Sequence, residues 1–596
     1  MRARQSTAAA VTLLLAVALA GCSDDPPPAA APAASDVSAA DRQRTADGGT
    51  VRWAVDAVPA TLNVYQPGAT ADSQLVARAV LPALFRPDDR ARPVADPDYL
   101  LSAESTPPGQ TPQVVTYRLN PKAVWSDGAP LSAADFTAQR SALSGADPAY
   151  RAARPAGYDA IDSVAQGADA HEVKVTFKHP YAPWQALFSP LYPAAVTASP
   201  AAFNQPLAAD FHTSAGPFVL ADYDRAAGRA GLVRNPRWWG DAPKAERIDF
   251  LATPAAARLD ALDQGKLDIA GLTEAVDRAS VAPAAAQPAA ASQSAAAAPP
   301  DAAALALTAA SAQALKRAEA LPGLTLHRAA APALTELTLN AARGPLTDPA
   351  VRRALGRAVD RHRIAEAALT PLGLPAVALG NHLLAVGQDG YRDDSAALGD
   401  RSAAQLLDEA GWKAAAGSGA RSKDGQELAL GLLLTEGSAT ARRTAEALTA
   451  DLAAAGITVR PQAVPADGFV SGHLATGDYD LALFSWPATG SPATDSRAVY
   501  AKPQPGPDGA AQTGSNYART GTDEIDQLFD RAAAELDPAA RSTLLQQADA
   551  RIWQLGHSVP LYQRPDLVAV RTGVAGAGAY GFAGPRYQDI GFLKTS

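Results

Sequence analysis

Apolar and polar residues alternate over 114–119 (Val-Val-Thr-Tyr-Arg-Leu) and again over 173–177. A two-residue period of this kind predicts half-buried strands. A third short strand is predicted over 51–55, after the Gly48-Gly49 turn. Residues 428–434 are a continuous apolar run, the signature of a strand covered on both faces. A helix is predicted over 439–455, then Gly456, then a strand at 457–459, which together make a βαβ unit. Another strand is predicted over 479–484. Helix starts are marked by caps. Ser132 and Asp135 fit a capping box, as do Ser402 and Gln405, with Gly411 closing the second helix. Asp348 followed by Pro349 opens a helix with Val351, Leu355, Ala358 and Val359 on one face and Arg352, Arg353 and Arg357 off it. Asp537 and Pro538 open a last long helix with Leu544, Ala548 and Ile552 on one stripe. The pattern predicts an α/β protein of two lobes with a ligand cleft between them.

The pattern stops at two places. Over 8–20 an apolar run without charge follows Arg2 and Arg4, too short for a relaxed membrane span and suited to a signal-peptide core. It ends in Leu19-Ala20-Gly21-Cys22, which resembles the lipobox of bacterial lipoproteins. Cys22 is the only cysteine in the 596 residues, so no disulfide can form within one chain. Residues 1–21 are therefore expected to be a signal peptide, with Cys22 carrying a diacylglyceryl group on the outer face of the membrane. Residues 22–47, with Pro26-Pro27-Pro28, are expected to be a flexible tether. The second break is 279–310, where composition collapses to Ala, Pro, Gln and Ser. Pro283, Pro288, Pro299 and Pro300 interrupt it, so an exposed insertion is expected.

The expected organisation is a first lobe at 48–278 with an extra subdomain at about 80–212, a second lobe at 311–550, and a return to the first lobe at 551–596. A formal net charge of −9 argues against a nucleic-acid partner, which needs a basic face. The eight histidines are scattered, and no metal-ligand spacing, nucleophile elbow or phosphate-binding loop occurs. Neither an enzyme nor a cofactor is predicted. Asp127 and Asp135 read as a turn residue and a helix-start residue rather than as a catalytic pair.

Several segments resemble the family 5 extracellular solute-binding proteins, the dipeptide, oligopeptide and nickel binding group of ABC importers. They are Tyr117-Arg118-Leu119 with Val124-Trp125-Ser126-Asp127-Gly128, then Ser132 to Phe136, Ser214 to Leu220, and Arg234-Asn235-Pro236-Arg237-Trp238-Trp239-Gly240. LDQGKLDI at 262–269, VRRALGRAVDR at 351–361 and SVPLY at 558–562 continue in family order. The resemblance implies a large, three-subdomain binding-protein fold that acts as a monomer and passes a small, peptide-like solute to membrane permease subunits. LPALFRP at 81–87 and the run 97–102 are similar to an actinobacterial subgroup that includes a lipoprotein linked to mannosylated envelope-lipid synthesis. That resemblance implies an alternative role in envelope-glycolipid biosynthesis.

Strand polarity places the ligand beyond the end of the strand that runs to Trp486, next to Pro487 and Gly490. Asn516 and Tyr517 resemble the family's cleft-side Asn-Tyr segment, and Asn63 and Tyr65, after the first strand, are candidates from the opposite lobe. Peptide-binding members resemble W-x-x-D-Y-x-D-P after this strand, where an aspartate pairs with the ligand's ammonium group, against Trp486-Pro487-Ala488-Thr489-Gly490-Ser491-Pro492 in this chain. Here Ser491 stands in that place, and a hydroxyl cannot replace a buried counter-ion.

Overall fold

The computed structural model describes residues 33–153, 157–205, 211, 213–277, 300–414, 419–506 and 511–594. The expected signal peptide, Cys22, the first part of the tether and most of the Ala/Pro insertion lie outside these residues. Mixed strands and helices confirm the α/β class. One ten-stranded sheet runs through the molecule. From one edge its strands are Thr458–Val464, Ala429–Thr435, Leu481–Pro487, Leu324–Leu339, Ser558–Arg571, Ile269–Gly271, Thr50–Val55, Arg247–Ala252, Arg229–Arg234 and Phe218–Asp224. The predicted βαβ unit is present: Ala429–Thr435 and Thr458–Val464 pair in parallel, joined by the helix Ala439–Ala454.

Two long strands at the centre, Leu324–Leu339 and Ser558–Arg571, pair antiparallel and form a ribbon between the two halves of the sheet. Its register jumps between Ala330 and Leu334, opposite Pro565 and Gln563. Pro332 and Pro565 sit at this jump and bring no N–H to the ladder, so the ribbon loses hydrogen bonds there. The strand Leu324–Leu339 escapes sequence patterning because Ala329-Ala330-Ala331-Pro332-Ala333 interrupts any alternation.

Separate cores form on either side. One joins Val51, Trp53 and Phe250 of the sheet to Tyr117, Phe136, Phe188 and Tyr192. The last four belong to a region that carries its own four-stranded sheet: Leu100–Ser105, Val114–Leu119, Glu172–Phe177 and Ile161–Gln166. The other core joins Leu337, Leu430, Leu432 and Leu481 to Val351, Leu355, Leu448 and Leu452 of the helices. The segment carrying Leu259, Leu262 and Ala270 packs into this second core.

The caps form as expected. Ser132–Asp135 and Ser402–Gln405 make capping boxes, and the Asp348 carboxylate accepts from the Ala350 amide at 2.8 Å. Two features differ from expectation. Residues 300–310 are not irregular: the helix Pro300–Ala320 starts at Pro300, a proline suited to a first helical position, and continues through helix-favouring alanines. Arg352, placed by sequence off the apolar face, is buried and donates to the carbonyls of Leu346, Leu555 and Gly556. It caps the carboxyl end of the helix Pro538–Leu555. Burial pushes its guanidinium down to about 10.

Candidate functional site

Trp486 is the penultimate residue of the strand Leu481–Pro487 and is half-buried. Its ring stacks on Tyr517, with centroids 5.5 Å apart and planes 15° from parallel. Phe484 meets both rings edge-on, at 5.3 Å and 6.0 Å. Alternation along the strand puts Phe484 and Trp486 on one face, which is why the two aromatics adjoin. The turn carrying Tyr517 is brought to them by the buried Tyr479, whose hydroxyl donates to the Tyr517 carbonyl. Partial burial pushes the Tyr517 phenol up.

A buried polar chain lies under this platform. The Trp486 indole N–H donates to Glu336 Oε1 at 3.2 Å, and the Thr338 hydroxyl donates to the same oxygen at 2.6 Å. Ser558 Oγ is 3.0 Å from Glu336 Oε2 and 3.1 Å from His557 Nδ1. His557 Nε2 lies 3.1 Å from Asn516 Oδ1. Burial pushes the His557 imidazole down to about 3, so it stays neutral at ordinary pH. Among the described residues no Lys or Arg pairs with Glu336, and hydroxyl and indole donors serve its carboxylate instead.

The predicted residues thus separate. Trp486 and Tyr517 come together as an aromatic platform. Asn516 lies beneath it, fully buried, with its amide N–H groups given to the Ala501 and Thr520 carbonyls at 2.7 Å each. Its hydrogen-bonding capacity is spent on the protein, so it braces the turn instead of reaching a ligand. In the other half, Asn63 is fully buried, donates to the Phe203 carbonyl at 3.0 Å and accepts from the Tyr65 amide. Tyr65 donates to the Pro190 carbonyl at 2.9 Å and meets Tyr158 and Tyr192 edge-on. These two residues tie the first strand's exit to the extra subdomain. Sequence reasoning missed Glu336 and His557. The one available signal was a lone carboxylate in an otherwise neutral strand, Leu334-Thr-Glu-Leu-Thr-Leu339.

Ser491 is the N-cap residue of a single helical turn, Pro492–Asp495, and its carbonyl accepts from the Asp495 amide. No carboxylate stands at this position. Asp127 and Asp135 are separate scaffold groups. Asp127 closes its turn on the Ala129 amide, and Asp135 accepts from Ser132, Ala194 and the Trp125 indole. A cavity of about 130 Å³ lies elsewhere in the first half, lined by Phe85, Tyr99, Trp238 and Tyr587, and includes none of the predicted site residues. Among the described residues no cluster of His, Cys, Asp and Glu could hold a metal ion, and no helix is long and apolar enough to cross a membrane.

Comparison with known proteins places this geometry. The chain is 35% identical over 568 residues, 94% of its length and 87% of the relative's, to the oligopeptide-binding protein OppA of Mycobacterium tuberculosis. It is 32% identical over 203 residues, 33% of its length and 31% of the relative's, to the probable monoacyl phosphatidylinositol tetramannoside-binding protein LpqW of the same species. The fold matches the periplasmic EDTA-binding protein EppA with a TM-score of 0.77 at 23% identity, over 94% of this chain and 98% of that one. The model of the bacterial extracellular solute-binding proteins, family 5, matches residues 101–507. With the two-sided sheet, the central ribbon and these matches in hand, the chain belongs to the family 5 bacterial extracellular solute-binding proteins.

Proposed function

We propose that the chain captures a peptide-like solute between its lobes and delivers it to an ABC permease, working as a monomer tethered through a lipid on Cys22. The observation that carries the ligand reading is the Trp486–Tyr517 stack at the carboxyl end of its strand. That is where open α/β sheets present ligands. The relationship to OppA supports a peptide-like solute. Ser491 supplies no counter-ion, and the three hydrogen bonds on Glu336 come from neutral groups of the protein. The preferred ligand is therefore held by stacking and by hydrogen bonds rather than through a free ammonium, and its affinity changes little with salt.

Native mass spectrometry of the purified chain tests this: a ladder of peptides retained by the wild type and lost from Trp486→Ala supports the reading. Wild-type affinity for those peptides in a folded Trp486→Ala variant sinks it. The partial likeness to LpqW favours a second reading, a glycolipid ligand in the same cleft, and a retained mannolipid in the same experiment would select it. The tether is tested separately. Cys22→Ser should leave uncut precursor or released protein, and normal processing with full membrane retention would refute it.

A further inference from the structure

Among the described residues, the extra subdomain of the first lobe reaches the second lobe at two points, and both hold the segment that follows Trp486. The first is the tip of the hairpin formed by Phe85–Pro87 and Pro93–Ala95. Asp88 shapes that tip: its carboxylate accepts from the Arg90 and Arg92 amides at 2.9 Å each and from Arg92 Nε at 2.7 Å. At the apex, Ala91 is held at φ 61°, a left-handed conformation that non-glycine residues avoid, and it is only 4% exposed. Its carbonyl lies against Gly490 of the second lobe so closely that a Cβ on Gly490 would collide with it. Beside this seat, Arg90 reaches Asp389 at 3.3 Å and Arg92 lies 3.9 Å from the same carboxylate.

The second point is the loop at 180–183. Gln113 fixes it from within the subdomain, accepting from the Tyr181 amide at 2.6 Å and donating to the Tyr181 carbonyl at 3.1 Å. The next amide, Ala182, donates across to the Ala533 carbonyl of the helix Asp523–Ala534 at 2.7 Å. The Tyr181 hydroxyl engages the Thr494 side chain. On the receiving side, Gln388 Nε2 donates to the Thr489 carbonyl at 2.9 Å, so Asp389 and Gly490 belong to one braced lip.

We propose that these two prongs are the clamp that sets the closed state of the two lobes, with Gly490 as the seat that only a residue without Cβ can provide. Strain persists in folded proteins where surroundings over-determine it, and such residues gather at clamps and switches. Ala91 is strained at the hairpin apex that touches the other lobe, on a loop whose shape Asp88 imposes. The ion pairs around it are more than half exposed, so salt screens them and they bias the clamp without locking it. The lip they grip runs directly from Trp486, so closing the clamp fixes the wall of the aromatic platform. The proposal does not depend on which ligand occupies the cleft.

The test is hydrogen–deuterium exchange on the full purified chain without added ligand, read at the Ala182 amide, whose acceptor lies in the other lobe. Gly490→Val should speed exchange at Ala182 by about tenfold or more, an opening shift of about 1.4 kcal/mol, while the strand Glu172–Phe177 keeps its protection. Asp389→Arg, at an exposed position that does not threaten folding, should speed it several-fold at low salt and less at high salt. Adding Arg90→Asp alone to that variant, which leaves the Asp88–Arg92 pair in place, should slow exchange again in part. Unchanged Ala182 exchange in both Gly490→Val and Asp389→Arg overturns the clamp. So does a loss of protection that spreads equally into Glu172–Phe177, because it reports unfolding of the subdomain rather than separation of the lobes.

Discussion

The two cores are built from different residues. The first-lobe core is aromatic: Trp53, Tyr99, Tyr117, Trp125, Phe136, Tyr158, Phe177, Phe188, Tyr192 and Phe203 all belong to it. In the second-lobe core Trp412, Trp553 and Tyr562 are the aromatic members, and the rest is aliphatic, mostly leucine and alanine with valines and isoleucines. The difference follows what each core must hold. The second lobe is mostly helices on a sheet, and regular elements satisfy their own backbone, so aliphatic side chains suffice to pack them. The first lobe must hold long irregular connections. Its tyrosines do so with hydroxyls donated to loop carbonyls: Tyr99 to Ala215 at 2.9 Å, Tyr65 to Pro190 at 2.9 Å and Tyr192 to Leu62 at 2.7 Å. An aromatic ring thus brings both apolar area and a polar handle to a place where the chain has no ladder.

The largest way to break this contrast is to empty each core at its centre. Phe136 is fully buried and packs 4.6 Å from Phe188 and 5.5 Å from Tyr117. Phe136→Ala should lower the unfolding free energy of the first lobe by about 3–5 kcal/mol, and Leu448→Ala that of the second by about 2–5 kcal/mol. Urea titrations read by hydrogen–deuterium exchange at Val114–Leu119 for the first lobe and at Ala429–Thr435 for the second should shift strongly in the emptied lobe and weakly in the other. Equal shifts would mean that the lobes unfold as one unit and the contrast has no energetic meaning.

Acid sharpens it next. His557 packs beside Asn516 and Tyr500 of the second lobe and is pushed down to about 3 by burial. A base with a lowered folded value takes up its proton more readily unfolded, so its contribution is present above about 6.5 and is lost as pH falls below that. Asp566, pushed up to about 6 by burial, acts with the opposite sign, because its folded form holds a proton that the unfolded chain releases. The difference between wild type and His557→Asn isolates the histidine. The wild type should lose up to about 1.4 kcal/mol per pH unit more than the variant between pH 6 and pH 4. Parallel pH profiles in urea titrations would show that His557 is not the titrating group.

Removing a handle while keeping the ring gives a smaller effect. Tyr192→Phe keeps the packing and deletes the hydroxyl that accepts from the Val64 amide and donates to Leu62. A loss of about 1–3 kcal/mol is expected, since a buried donor and acceptor are left unpaired. No measurable change in thermal midpoint would show that the tyrosines act by area alone. At the bottom of the scale, Asp530→Asn removes an exposed partner of Arg497 and should change stability by less than about 1 kcal/mol.

Much of this was legible beforehand. The caps at Ser132, Asp348, Ser402 and Asp537 read from sequence because capping is local: a side-chain oxygen meets an amide two or three residues on. The βαβ unit read from its change of period. Trp486 was legible through strand polarity, and Tyr517 came from the family likeness. What each of Asn516, Asn63 and Tyr65 bonds was not legible. Asn516 is held by carbonyls 15 and 4 positions away and by His557 at a separation of 41, and Asn63 by Phe203 at a separation of 140.

The sequence by itself determined the α/β class, the family and the absence of a carboxylate at Ser491, because period, motif order and residue identity are properties of the chain alone. Tertiary structure decided the rest. It decided that Glu336 lies under the Trp486 indole, that Arg352 turns inward to end a helix whose last carbonyls lie 203 and 204 residues downstream, and that Ala91 meets Gly490. Each of these joins residues far apart in the chain, and which distant donor finds which acceptor is fixed only when whole elements pack and exclude water from between them.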